Sequence, residues 1–353
     1  MPLTILSVSY PLAQVSSRTA GGAEQVLAQL EKGLVEAGHR SLVLAPAGSR
    51  CRGLLIPAQV PAGALTDDVR AIVRHTFKKL LDRALNEFSV DIVHMHGLDF
   101  HEYMPRRDIP LVITLHLPLS WYAPEAFRFL QSNVSLICVS KSQAGTAPAG
   151  VRVDRVIPNG VDLKSFRPAR QKSNYAVVMS RICPEKGIHL AIEAAEGAGI
   201  DLIVAGSVFG YPEHRKYFDS MVEPRLSKRI RFIGQVGGRH KAALLGAARC
   251  LLIPSLAPET SSLVAMEAMA AGTPVIAFRT GAIPEIVSHG RTGFLVSNVE
   301  EMASAMTQVE SLEPAECRKE AERRFDSRRM VREYVDMYES IVKEENILDL
   351  QAA

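Results

Sequence analysis

The sequence predicts an α/β protein built from two doubly wound, parallel-sheet (Rossmann-like) domains in tandem. Three observations carry that expectation. The 353 residues are too many for one average domain and suit two of roughly 150–180. Short Val/Ile/Leu-rich runs alternate with helical stretches, as in a parallel sheet covered on both faces. Residues 157–170, with Pro158, Asn159, Gly160 and Pro168, break the alternation, which then restarts.

In the first half, Thr4–Ser9, Ser41–Ala45, Asp91–His96, Leu111–His116 and Val134–Ser140 read as strands. Ala23–Ala37, Val69–Phe88 and Pro124–Ser132 read as helices. In the second half the strands are Tyr175–Ser180, Asp201–Ala205, Ile230–Gly234, Arg249–Ile253, Pro274–Phe278 and Phe294–Ser297. Asp326–Leu348 is helical again. The expected divisions are residues 1–165, 166–325 and a C-terminal helix, 326–353. Two such sheets place a ligand at the carboxyl ends of their strands, in a cleft between domains.

Hydrophobic residues make up 47% of the chain, enough for two cores and too many for disorder. A net charge of +3, from 41 Lys+Arg against 38 Asp+Glu, is not the balance of a nucleic-acid binder. The five cysteines (Cys51, Cys138, Cys183, Cys250, Cys317) are scattered and odd in number, without C-x-x-C pairs. They are expected to be reduced and structural, in a cytoplasmic protein. The start, PLTILSVSYPL, lacks the basic region of a secretory signal, and no apolar run approaches the length of a bilayer span.

The densest signal is residues 251–278, LLIPSLAPETSSLVAMEAMAAGTPVIAF. A buried strand leads into the loop Pro254–Thr260. Ser261 and Ser262 are N-cap candidates for a helix over Leu263–Ala271, which Gly272 ends. Glu259 then stands in the loop, and Glu267 lies about a turn and a half into the helix. Between them is a helix N-terminus, whose N–H groups and dipole suit phosphate. Carboxylates suit hydroxyls that donate hydrogen bonds, so the order sugar, phosphate, ribose describes a nucleotide-sugar. The pair alone also fits two carboxylates that merely cap or solvate the helix. The segment resembles the E-x7-E region of retaining glycosyltransferases of family 4, which have the GT-B fold. GAIPEIVSHGRTGFLV (residues 281–296) is similar to that family's next block.

Arg181 and Lys186, in SRICPEKGIHLAI, follow a strand, with Lys186-Gly187 opening a helix; two cations there could clamp a diphosphate or form an ordinary surface pair. The segment resembles the family's R-x4-K-G block, which implies pyrophosphate binding by both. Gly21 and Gly22 precede a helix and let backbone approach a ligand. The resemblance places them toward phosphates and acceptor, with Glu24 as a first-turn helix carboxylate. It also places His116, at a strand end, near the donor sugar. Val236 lies in the Gly234–Gly238 loop, where backbone contacts to the base are expected. His94 and His96 share one strand face. No third ligand stands at useful spacing, so no metal site is expected. There is no D-x-D and no G-x4-G-K-[ST].

The GT-B resemblance implies two domains facing a cleft, with FDSRRMVREYVDMYESIV crossing back onto the first. It implies metal-independent transfer of a sugar, with retention, from a nucleoside diphosphate-sugar to an acceptor hydroxyl. Catalytic roles fall to His116, Glu259, Arg181 and Lys186. Donor contacts fall to Gly21, Gly22, Val236, Ser261, Ser262, Leu263 and Glu267. The donor expected first is a UDP-sugar; no other cofactor is expected. The acceptor is a sugar, glycan or lipid-linked molecule. Two other readings stand beside it: a UDP-sugar 2-epimerase on the same fold, and a non-catalytic sugar-nucleotide-binding subunit. Val69–Phe88 sets Val73, Phe77, Leu80, Leu81, Ala84 and Phe88 at helical spacing, with Arg70, Arg74, Lys78, Lys79 and Arg83 between them. It reads as a core-packing helix, with peripheral contact at the inner face of the membrane as the alternative. Base, sugar, acceptor and oligomeric state are not fixed by the sequence.

Overall fold

The computed structural model describes residues 2–19, 21–61, 66–128 and 133–352, with side chains to residue 344. The chain divides into two units: Met1–Asn159 with Ser327–Ala353, and Gly160–Asp326. Each holds one parallel sheet, as the continuous apolar strands require.

In the first unit the strands are β1 (Thr4–Val8), β2 (Arg40–Pro46), β3 (Leu54–Ala58), β4 (Ile92–Met95), β5 (Leu111–Leu115), β6 (Val134–Cys138) and β7 (Arg155–Val156). Their order is β3-β2-β1-β4-β5-β6-β7, so the winding reverses between β1 and β4. The helices are α1 (Gly22–Glu36), α2 (Asp67–Glu87), α3 (Lys141–Ala144) and, from the end of the chain, α11 (Ser327–Ala352). Thr66 caps α2, which packs Val73, Phe77, Leu81 and Ala84 into the core. Val73, Phe77 and Leu81 each contribute about 1.5–3 kcal/mol by leaving water, and the Ala84 methyl less.

The second unit has β8 (Tyr175–Met179), β9 (Asp201–Ala205), β10 (Ile230–Phe232), β11 (Cys250–Ile253), β12 (Val275–Phe278) and β13 (Gly293–Val296), in the order β10-β9-β8-β11-β12-β13. Its winding reverses between β8 and β11. Covering helices are α4 (Ile188–Ala198), α5 (Pro212–Tyr217), α6 (Gly238–Ala247), α7 (Leu263–Ala270), α8 (Ile283–Ile286), α9 (Val299–Gln308) and α10 (Pro314–Arg324).

Four expectations need correction. Two edge strands escaped the sequence reading: β3 is half exposed and contains Pro57, and β7 is two residues long. Pro124–Phe127 is a single 3₁₀ turn, not the start of a long helix, and the remainder of that expected helix, 129–132, lies outside the described residues. The division falls at Asn159/Gly160 rather than at 165/166, because Val161, Leu163 and Phe166 are buried in the core of the second unit. Lys186 closes a 3₁₀ turn, Pro184–Lys186, and α4 starts only after Gly187.

Candidate active site

The reversal point of the second sheet sets the loops after β8 and β11 side by side, where open α/β sheets bind ligands. The first loop carries Arg181 and Lys186; the second carries Glu259 and leads into α7. Close backbone approach is built in. Gly187 has φ 59°, and a Cβ there would lie 2.2 Å from the Pro254 carbonyl oxygen. Gly281 has φ 52°, and a Cβ there would lie 2.2 Å from the Glu259 carbonyl oxygen, which accepts from Ala282 N–H at 2.7 Å. The start of the GAIPE segment therefore clamps the Glu259 backbone.

Lys186 Nζ donates to Glu259 Oε1 at 2.6 Å, and both side chains are largely buried. Ser255 Oγ donates to the same oxygen. Arg181 stands half-buried with its guanidinium over the Phe209 ring, 5.9 Å from the centroid. Ser262 is the N-cap of α7: its hydroxyl accepts from Ala265 N–H at 3.4 Å. That cap serves the third helical residue and leaves the N–H groups of Leu263 and Val264 to point out of the helix start. Ser261, the other cap candidate, has a buried Oγ without a hydrogen-bond partner among the described residues.

Glu267 is 5% exposed inside α7. Lys241 Nζ, from α6, meets its Oε1 at 2.6 Å and its Oε2 at 2.5 Å. Burial raises the carboxyl pKa and Lys241 opposes that rise. Val236 is half-buried in the loop before α6 and packs on the core.

In the first unit, Gly21 is the N-cap of α1 and Gly22 its first residue; Glu24 is buried in the first turn. His116 follows β5 and His96 follows β4, and these neighbouring strands bring His96 Nδ1 within 3.0 Å of His116 Nε2. The His94 and His96 rings meet at a tilt, 3.9 Å between centroids, and the His96 and His116 rings stack at 5.3 Å. His94 is tied by Nε2 to Thr114 Oγ1 at 2.7 Å and by Nδ1 to the Tyr338 hydroxyl at 2.6 Å; Thr114 Oγ1 also meets the Tyr334 hydroxyl at 2.9 Å. Burial pushes His116 down to about 4 and lowers His94 and His96 as well, so all three are neutral near pH 7. His94 is thus a core residue joining β4 and β5 to α11.

Reasoning from sequence missed Ser255, Lys241 and the pairing of His96 with His116. Lys241, in RHKAALLGAA, has no local mark that separates it from a solvated helix lysine.

Residues 162–327 match the family described as Glycosyl transferases group 1, and residues 20–165 match Glycosyltransferase Family 4. The chain is 26% identical over 323 residues to a phosphatidyl-myo-inositol mannosyltransferase of Mycolicibacterium smegmatis, covering 82% of this chain and 81% of that protein. It is 27% identical over 345 residues to a D-inositol 3-phosphate glycosyltransferase of Pseudarthrobacter chlorophenolicus, covering 81% and 80%. Among solved structures, Anabaena HepE in complex with UDP-glucose superimposes with a TM-score of 0.73 at 23% identity, covering 96% of this chain and all of that one.

Proposed function

Because the chain belongs to glycosyltransferase family 4 and has the GT-B fold, we propose that it moves a sugar from a nucleoside diphosphate-sugar to an acceptor hydroxyl, with retention and without a metal in the reaction. The observation that carries this reading is the Lys186–Glu259 pair beside the N-terminus of α7, at the reversal point of the second sheet. Cations and helix N–H groups converge there with a carboxylate, matching the charges of a diphosphate and the hydroxyls of a sugar.

In this reading Arg181, Lys186 and the N–H groups of Leu263 and Val264 receive the diphosphate. They stabilise it as the glycosidic bond breaks and negative charge moves onto the leaving oxygen. One of the three Lys186 N–H donors goes to Glu259, which leaves donors for phosphate. Glu259 accepts from donor-sugar hydroxyls, and Glu267 from ribose hydroxyls. Ser261 and Ser262 add hydroxyls at the helix start. The backbone around Val236 contacts the base. The family resemblance gives Gly21 and Gly22 a role toward phosphates and acceptor, and His116, a neutral hydrogen-bonding group, a role toward the donor sugar. Attack on the face the diphosphate leaves, with the departing phosphate taking the acceptor proton, gives retention without a protein nucleophile.

The donor is a UDP-sugar in this proposal, in keeping with the UDP-glucose complex of HepE. The acceptor is a polyol, glycan or lipid-linked headgroup, in keeping with the inositol-based names of the relatives. No helix among the described residues is long and apolar enough to cross a membrane. We place the protein in the cytoplasm, with any membrane contact peripheral.

The test has two steps. Thermal-shift measurements with UDP, GDP, ADP and TDP identify the nucleotide, since a ligand of the folded state raises stability with its concentration. Transfer to myo-inositol, its phosphate and phosphatidylinositol is then followed by NMR of the new anomeric centre. Retained configuration and undiminished turnover in EDTA without added Mg²⁺ or Mn²⁺ are expected. An inverted product, a rate restored only by those metals, or a 2-epimer formed without acceptor would each overturn the proposal.

A further inference from the structure

The turn after β8 holds more than the two cations assigned to the diphosphate. Cys183 is the N-cap of that turn and Glu185 lies two residues on. Because β8 and β9 are parallel neighbours, the segment after β9 runs beside it: Ile182 N–H donates to the Ser207 carbonyl at 2.9 Å. Farther along, α5 carries His214 in its first turn. One ligand atom from each of Cys183, Glu185 and His214 lies within 4.8 Å of the other two, and no other set of three His, Cys, Asp or Glu among the described residues comes so close.

A second feature points to a ligand. His214 is 6% exposed, and its Nδ1 is buried with no hydrogen-bond partner among the described residues. Buried ring nitrogens are normally satisfied, so an orphan asks for an occupant. The rings of Tyr211 and Phe209 flank the imidazole at 5.0 and 6.3 Å between centroids, which limits water on those sides. The Cys183 thiol lies 3.8 Å from the Arg181 carbonyl and hydrogen-bonds the Glu185 carboxylate, its neighbour in the cluster. Cys183 is buried and Glu185 is exposed, so the cluster has one open side.

We propose that Cys183, Glu185 and His214 form a zinc site, with solvent as the fourth ligand on the Glu185 side. Sulfur, imidazole nitrogen and carboxylate oxygen are the donors zinc accepts in tetrahedral sites, whereas a thiolate is a poor ligand for Mg²⁺ or Ca²⁺. Zinc–ligand bonds of about 2.0–2.3 Å bring tetrahedral ligand atoms to about 3.5 Å from one another. The cluster must therefore close by no more than about 1 Å, within the reach of side-chain rotation.

Binding balances simply. The Cys183 S–H bond breaks, a Zn–S bond forms, and one proton passes to solvent. Burial holds the free thiol up to about 11, so the proton is present until the metal displaces it. Arg181, Glu185 and Lys186 act on this thiol from its own turn, and Tyr217 and His214 face the turn from α5. The exchange adds one positive charge and ties α5 to the turn that carries Arg181 and Lys186. The zinc touches neither nucleotide nor reacting atoms in the proposed mechanism. Its removal is expected to lower stability rather than stop turnover.

The test uses the full-length protein, stripped of metal and titrated with Co²⁺ and then Zn²⁺. One equivalent of Co²⁺ is expected to give the visible bands of a four-coordinate ion and a thiolate-to-cobalt charge-transfer band, both displaced by one equivalent of Zn²⁺. Zinc calorimetry in two buffers of different protonation enthalpy should report about one proton released per metal. Cys183→Ser should abolish the charge-transfer band. Glu185→Gln, an exposed change that spares folding, should weaken zinc binding about tenfold or more. Absence of the thiolate band, or its survival in Cys183→Ser, would overturn the site. The UDP thermal shift measured on the same samples keeps the two readings apart: its loss with zinc binding intact counts against the donor assignment alone.

Discussion

Glu259 is held from three directions: its backbone by Ala282, and its side chain by Ser255 and Lys186. A carboxylate fixed this way is suited to read hydroxyl positions rather than to supply affinity for phosphate. Glu259→Ala should therefore lower transfer by about a hundredfold or more, the scale set by losing a preorganised polar group. UDP affinity should stay nearly unchanged, since Lys186 is freed rather than lost. Parallel loss of UDP binding in calorimetry would refute that division of labour. Glu267 differs, because its pair lies deeper, with 7% of its own side chain and 14% of that of Lys241 exposed. Glu267→Gln leaves that ammonium uncompensated, and breaking such a pair costs about 3–5 kcal/mol of stability. Adding Lys241→Met should recover most of the melting temperature. UDP binding should remain weaker by about 1–3 kcal/mol, the worth of a charged hydrogen bond. If the double variant regained affinity as well, Glu267 would act only through Lys241.

At the scale of elements, α2 shows how packing decides between readings that its sequence allows. Its apolar residues Val73, Phe77, Leu81 and Ala84 are committed to the core, with Leu80 and Phe88 packed beside them. Arg74 is committed too: its Nε donates to Asp99 at 2.8 Å, and Nη1 lies 3.5 Å from Glu102. Arg83 pairs with Glu87 at 2.6 Å. Ile72, 54% exposed, does not make a face. Any affinity of α2 for anionic vesicles is thus electrostatic, through Arg70, Lys78 and Lys79. Co-sedimentation at low salt should disappear above about 0.15 M, where the Debye length is near 8 Å. Reversal of Lys78 and Lys79 to Glu should remove it without changing the melting temperature. Binding that persists at high salt would mean that another element enters the bilayer. The helix α7 teaches the complementary lesson. Its Ser262 cap and the Gly272 stop were legible, because capping and left-handed termination depend on residues next to each other.

Across the whole molecule, long apolar strands and their alternation with helices were legible, and so were most residues proposed here for the site. What escaped depends on distant partners. Strand β3 forms beside β2 despite Pro57, because an edge strand can spare an N–H. The pairings of Lys241 with Glu267 and of His96 with His116 join separate elements, and neither spacing nor propensity carries that information. The buried histidines give a further expectation. Folded His116 titrates at about 4, and burial lowers His94 and His96 as well, against about 6.5 for an exposed histidine. A depressed histidine means that the unfolded chain takes up the proton first. Stability is therefore full above about pH 6.5 and drains as pH falls toward 4, by roughly 1.4 kcal/mol per pH unit for each histidine. Glu31 and Glu267, whose carboxyls burial raises, tilt the other way, so the comparison must be with a variant. His116→Gln should flatten the fall of melting temperature between pH 7 and 5; an unchanged slope would exclude His116 as one of its sources.

The second unit is an insertion: it opens at Gly160 and closes at Asp326, and its two ends meet where Val161 N–H donates to the Phe325 carbonyl at 2.8 Å. During synthesis this unit leaves the ribosome whole, while the first unit still lacks α11. Until Tyr338 emerges, His94 Nδ1 has no phenol to meet, and the hollow that Tyr334 and Tyr338 fill stays open. Completion of the first unit therefore waits until the second unit has been made and α11 follows it, and the second is free to fold as an autonomous piece. Residues 160–326 made alone should unfold in one cooperative calorimetric transition, and a chain stopped at 326 should keep that transition while losing the first unit's. The adjacent ends also make the second unit a natural place to cut and rejoin the chain, so a circular permutant that links 326 to 160 by a short Gly/Ser bridge should keep its fold.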